Sequence, residues 1–220
     1  RMGVPVSGKN VFPSNIQGLP TWYEIRVNKD GHLARSPKVD LMVTMNPKTY
    51  EQDIAEVSPG EAVLYDSSWP LDEELRRADV MFFGIPLSHM CVESFKGARE
   101  RILMKNIAYV GAVAALLSID IDVLEEMLSE KFGTKQHLMD SNSAALRLGY
   151  DYAMEHFDCP LPICLKRMNA NRNSVLMTGN MAGGDIIAGA GQLVIGASYS
   201  RGAEAEADRA AVEILGSAGI

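Results

Sequence analysis

Three stretches decide the fold: Leu41-Met42-Val43-Thr44-Met45, Ala62-Val63-Leu64-Tyr65-Asp66 and Val80-Met81-Phe82-Phe83-Gly84-Ile85. Each is a short run with apolar residues at both odd and even positions. A strand solvated on one side alternates, whereas a strand buried on both sides reads as a continuous apolar run. The runs therefore predict a parallel sheet with helices on its faces, an α/β fold. Asn46-Pro47 stops the first run, and Tyr50 to Val57 reads as a brief helix ended by Pro59-Gly60. Upstream, Thr21 to Val27 alternates as a strand should, and Asn28-Lys29-Asp30-Gly31 follows as a turn.

Downstream the period changes to that of helices. Ile102 to Ser118 carries Ile102, Ile107, Val110, Val113, Ala114 and Leu117 at helical spacing, with Lys105 and Asn106 turned elsewhere. Its Gly111, Ala112, Ala114 and Ala115 permit close approach to a sheet or a second helix. Ile121 to Phe132 is expected to be a helix capped by Asp120 or Asp122, with the apolar stripe Val123, Leu124, Met127 and Leu128. Ser141 to Phe157 follows as another, with Ala144, Ala145, Leu148 and Tyr152 facing inward. Asp158-Cys159-Pro160-Leu161-Pro162 breaks the pattern, and Arg167 to Ser174 reads as a polar, Asn-rich linker. Gly and Ala dominate beyond it through Ala197, and Arg201 to Leu215 is an Ala/Glu helix. A domain over 1–168 and an appendage over 169–220 are expected.

Composition bounds the partners. The chain has 220 residues, 47% of them hydrophobic and 22% charged, which is enough apolar material to offset the ordering entropy of a globular domain. A net charge of −7 and scattered Lys and Arg argue against nucleic acid, whose phosphates repel an acidic chain. The longest apolar stretch, Ile107 to Ile121, is too short and too amphipathic for a membrane span, and the start carries no signal peptide. Three cysteines without metal-ligand spacing suit ordinary thiols in a reducing compartment, so the expected location is cytoplasmic.

No catalytic constellation stands out. The four histidines lack metal-ligand spacing, and a Gly-rich phosphate loop and a nucleophile elbow are both missing from the main domain. Two places invite a ligand. In Phe12-Pro13-Ser14-Asn15-Ile16-Gln17-Gly18-Leu19-Pro20, Ser14, Asn15 and Gln17 either present polar groups to a ligand or satisfy their own backbone. Asn46-Pro47 and Asp66-Ser67-Ser68 follow buried strands, where parallel sheets gather ligand contacts, but helix caps and turns account for them equally well. His89 is read as a satisfied surface histidine rather than a site residue.

The run from Val11 to Arg26 resembles the gamma (catalytic) domain of 2-oxoacid:ferredoxin oxidoreductases, which include the pyruvate, 2-oxoglutarate and indolepyruvate enzymes. The likeness continues at Val39 to Pro47, Leu64 to Ser67, Lys105 to Ala112, and Ala145 to Gly149 with Asp151-Tyr152-Ala153. Val175 to Ala182 is similar to the opening strand and turn of the alpha region, as in arrangements where gamma is fused ahead of alpha. The resemblance implies a Rossmann-like layered domain lacking its first strand and helix, with a Gly/Ala-rich C-terminal appendage. It also implies a part in coenzyme A-dependent oxidative decarboxylation of a 2-oxoacid, in a chain inactive alone. Thiamine diphosphate, iron–sulfur clusters and coenzyme A are implied for the complex, with none held by this chain. Alpha and beta subunits or domains are the implied partners, and ferredoxin an indirect one. Ser14, Asn15, Gln17, Gly18, Arg26 and Asn46 are the expected cofactor contacts; no catalytic and no metal-binding residue is expected.

The tail is similar to something else. Tyr199 to Arg209 and Leu215 to Ile220 resemble the zinc-binding helix of gluzincin metallopeptidases, with Glu204 as the carboxylate ligand and Asp208 supporting it. The chain has no His-Glu-x-x-His helix to supply the remaining ligands and base. A chimeric chain accounts for both likenesses. The alternatives to an oxidoreductase part are thus a zinc metallopeptidase fragment and a non-catalytic subunit-assembly module.

Overall fold

A computed structural model of the chain describes residues 1–11, 19–32, 34, 38–157 and 161–170. The three apolar runs form strands β3 (Leu41–Thr44), β4 (Ala62–Asp66) and β5 (Met81–Ile85), after a hairpin of β1 (Val6–Val11) and β2 (Trp22–Val27). Strands β3, β4 and β5 are parallel in that order, with Leu41 opposite Ala62 and Ala62 opposite Met81. All five residues of the central strand β4 are buried. Val63 and Tyr65 face one side, into a core with Met42, Tyr50, Ile54, Val57, Leu71 and Val80. Leu64 faces the other, into a core with Ile85, Leu87, Ala108, Tyr109, Ala112 and Leu116. Burial on both faces explains the unbroken apolar reading of these strands.

The first face is covered by α1 (Tyr50–Ala55). Past its end, the Arg77 guanidinium donates to the Ile54 and Val57 carbonyls at 3.0 and 2.8 Å while pairing with Asp79. The second face is covered by α3 (Ala98–Leu116), against which α5 (Gln136–His156) packs, with α4 (Ile121–Phe132) beside α5. Asp120 is the α4 N-cap, its carboxylate accepting from the Asp122 N–H at 3.1 Å. Gly111 on α3 lies against the Leu146 carbonyl, and Gly149 on α5 against the Ala108 carbonyl; a methyl group at either position would overlap a backbone oxygen. The small residues thus bring the two helix backbones together, as their composition suggested.

Several expectations change. Helix α2 (Leu87–Ser94), for which the local pattern gives no helical period, buries Leu87 and Cys91. Helix α3 starts earlier, at Ala98, and its buried face is Met104, Ala108, Tyr109, Gly111, Ala112, Ala114, Ala115 and Leu116. Ile102 and Val110, expected in the core, are exposed, because the close α3–α5 approach selects the small-residue face. Lys105, expected to turn away, is half-buried and points at Asp66. Helix α5 starts at Gln136, and Ala144 is exposed where Ala145 and Leu146 are buried. Strand β1 was not anticipated: Ser7-Gly8-Lys9-Asn10 carries no apolar alternation, and its extended form comes from pairing with β2.

After α5, residues 161–170 run back along the domain. The Leu165 N–H donates to the Leu117 carbonyl at 2.7 Å, and Met168 and Ala170 donate to the carbonyls of Met2 and Gly3. Arg167 grips Asp120 with two nitrogens, at 2.9 and 2.6 Å. Residues 171–220, including the alpha-like start and the Glu204/Asp208 helix, lie outside the described residues.

Candidate functional site

Parallel strands deliver their carboxyl ends to one edge, and in open α/β sheets ligands bind there. Asn46 follows β3, Asp66 ends β4, and Pro86 to Ser88 follow β5 into α2. Pro86 is the N-cap of α2 and has no side chain to satisfy the helix's first N–H groups. Asp66 does so instead. Its carboxylate accepts from the Ser88 N–H at 3.2 Å, from the Ser68 N–H at 3.1 Å and from the Ser88 hydroxyl at 2.5 Å. The Ser68 oxygen accepts the next N–H, that of His89, at 3.1 Å. Lys105 approaches from α3: its ammonium lies 3.6 Å from the Asp66 carboxylate and donates to the Ser88 oxygen at 3.3 Å.

The Asp66 residue is only 1% exposed. Burial alone would raise its pKa, but the hydrogen bonds from Ser88 and Ser68 outweigh burial and hold the carboxyl below its ordinary value. It is therefore an ionised, fully partnered anion at neutral pH. Beneath it the Tyr50 hydroxyl is 3.5 Å from the Asp66 carbonyl, and burial pushes its pKa up to about 12. The Tyr109 hydroxyl donates to the Thr44 carbonyl at 3.1 Å, and burial raises its pKa as well. Burial likewise raises the Cys91 thiol to about 11, so this cysteine is an inert core group. Among the described residues, Asp66, Ser88 and Lys105 satisfy one another, and this edge is a pre-formed electrostatic brace.

Of the expected contacts, Ser14, Asn15, Gln17 and Gly18 lie outside the described residues. Their connection is nevertheless framed, because Val11 pairs with Trp22 at the hairpin end from which it departs. The Trp22 indole N–H donates to the buried Asp53 carboxylate of α1 at 2.7 Å, and the other Asp53 oxygen lies 2.8 Å from the Thr49 hydroxyl. The Thr49 N–H donates to the Asn46 carbonyl at 3.0 Å. Trp22, Asp53, Thr49 and Asn46 thus tie the hairpin end to the carboxyl edge of the sheet. Asn46 is exposed and caps the turn at Pro47–Thr49, its side-chain oxygen accepting from the Lys48 N–H at 3.1 Å. Arg26 sits four residues further along β2, away from that edge, with its guanidinium donating to the Ala34 carbonyl.

Ser88 and Lys105 escaped the sequence reading: a Ser after Pro and a Lys in an apolar helix carry no local signal, and only packing aims them at Asp66. Among the described residues no group of three or more His, Cys, Asp or Glu is placed to hold a metal ion. No helix of the described residues is long and apolar enough to cross a membrane.

A short parallel sheet covered on both faces, with its polar groups gathered at the carboxyl edge, defines an α/β layered domain. More particularly, the chain belongs to the pyruvate ferredoxin/flavodoxin oxidoreductase family, whose profile matches residues 1–152. It is 24% identical over 229 aligned positions to 2-oxoacid:ferredoxin oxidoreductase 2, subunit alpha, of Aeropyrum pernix, covering 83% of this chain and 35% of that one. Among solved structures it is similar to the 2-oxoglutarate:ferredoxin oxidoreductase of Magnetococcus marinus, which holds 2-oxoglutarate, coenzyme A and succinyl-CoA. That likeness has a TM-score of 0.67 and 26% identity, over 77% of this chain and 29% of that one. The fold also matches a keto/oxoacid ferredoxin oxidoreductase gamma subunit from Geobacter sulfurreducens, with a TM-score of 0.54 and 14% identity over 70% of this chain and 82% of that subunit. The chain spans about a third of the length of its Aeropyrum relative.

Proposed function

We propose that this chain is a gamma-type unit of a 2-oxoacid:ferredoxin oxidoreductase, leading through a linker from about residue 169 into an alpha region that opens at Val175. In this reading it supports coenzyme A-dependent oxidative decarboxylation of a 2-oxoacid within a cytoplasmic assembly of alpha and beta parts that passes electrons to ferredoxin. The observation that carries the reading is the family match across residues 1–152. The likeness to both a separate gamma subunit and a longer alpha subunit favours the fused arrangement. In this reading coenzyme A meets the connection between β1 and β2, through Ser14, Asn15, Gln17 and Gly18. Of the two described candidates, Asn46 is tied to that end through Thr49, Asp53 and Trp22, and among the described residues its amide NH2 has no partner, while Arg26 is already engaged with Ala34. Thiamine diphosphate and the iron–sulfur clusters belong to the rest of the assembly. A zinc role for Glu204 gains no support, since one carboxylate without His or Cys neighbours competes poorly with the ion's hydration.

The test is turnover. The purified chain with thiamine diphosphate, coenzyme A, a viologen dye and a panel of 2-oxoacids is expected to leave the dye oxidised, and the co-assembled alpha and beta parts are expected to restore reduction. Substantial dye reduction by the chain alone overturns the reading.

A further inference from the structure

The hairpin is inside out. Along β2 the residues alternate, but the apolar set Tyr23, Ile25 and Val27 faces solvent, with exposures of 63%, 64% and 36%. On β1, Val6 pairs with Val27 and is 42% exposed, so it joins the same face. Gly8 lies between them, opposite Ile25, and a side chain there would strike the Tyr23 ring and hydroxyl. Its lack of one lets Tyr23 lie across the strand pair and complete an apolar platform bordered by Asn10, opposite Tyr23. The other face carries Trp22 and Arg26, and it is held: Trp22 to Asp53, Arg26 to Ala34. Rotating the hairpin to hide the platform would break the Trp22–Asp53 bond to α1. A two-stranded hairpin is marginal in water, and an exposed apolar patch on one marks a contact surface.

We infer that the Val6–Tyr23–Ile25–Val27 platform is a docking surface for an apolar face of the catalytic remainder of the oxidoreductase, the part of the family's length that this chain does not span. This rests on the subunit reading above. Size selects the occupant. Four side chains on six-residue strands fall well short of the roughly 800 Å² per side that a freestanding dimer needs, so a second copy of this chain bound through the platform alone would not persist. A larger assembly, making its other contacts elsewhere, needs only this much. The relatives supply the mass: the matched regions cover 35% and 29% of their chains. Tyr23, with an apolar ring and a hydroxyl at its tip, is suited to a surface buried in part and wet at its rim.

The experiment is co-expression of the full chain with the alpha and beta parts, with complex formation followed by native mass spectrometry and titration. The wild type is expected to assemble, and Tyr23→Thr/Ile25→Thr, which keeps β-forming residues, to weaken assembly by roughly tenfold or more. Lys9→Thr, on the opposite face, is expected to leave it unchanged. Hydroxyl-radical footprinting of the wild type is expected to show Tyr23 protected in the complex, a reading that needs no variant to fold. If the wild type assembles but Tyr23 stays reactive, or the double variant binds at wild-type strength, or Lys9→Thr weakens binding equally, the docking inference falls while the subunit reading stands. If the wild type forms no complex, the subunit reading falls, and the occupant with it.

Discussion

Asp66 shows how one buried charge organises an edge. A carboxylate taken out of water survives only if its lone pairs are occupied, and here three donors from two residues and one ammonium meet it. Its pKa is depressed in the folded state, so the stabilisation is complete above the unfolded carboxylate value of about 4 and is lost as pH falls through the lower folded value. Asp66→Asn keeps the shape but not the charge, and is expected to cost about 1–3 kcal/mol at pH 7. Urea unfolding of both proteins from pH 7 to pH 2 checks this: the gap should hold steady down to about pH 5 and narrow in more acid solution. A gap that persists unchanged at pH 2 contradicts the electrostatic account.

At the scale of elements, the α3–α5 contact is made of absences. Gly111 and Gly149 each sit against a backbone oxygen of the opposite helix, where no flexible side chain can yield. Alanine is the better helix former by about 1 kcal/mol, yet Gly149→Ala is expected to destabilise by about 1–3 kcal/mol, since separating packed backbones disturbs the whole contact. Thermal unfolding decides which effect wins; a raised midpoint means the helices are not this close. The β1–β2 connection makes a second element-level test. With Trp22 holding its base to Asp53, Asn15→Ala/Gln17→Ala in the complete enzyme is expected to raise the coenzyme A concentration needed for half-maximal rate by about tenfold, the equivalent of roughly 1.4 kcal/mol of lost hydrogen bonding. Unaltered assembly, rate and coenzyme A dependence would make that connection structural.

For the whole molecule, the sequence alone determined the parallel sheet and most helices, because burial on both faces and a 3.6-residue period write themselves into consecutive residues. Ala62–Asp66 and Ile121–Phe132 stand as expected, cap included. The resemblance in the motifs from Val11 onward pointed to the family that the comparison establishes. Where two segments distant in the chain decide an outcome, local pattern is silent. Strand β1 is extended because β2 pairs with it. Helix α3 buries its small face rather than Ile102 and Val110 because α5 brings Gly149 against it. Lys105 turns inward because Asp66, 39 positions earlier, leaves a buried charge for it to meet. The outward apolar face of β2 reads in sequence as ordinary strand alternation, and which side meets water was settled only when Trp22 found Asp53. Period and propensity are properties of a segment, but the direction a face points is a property of what packs against it.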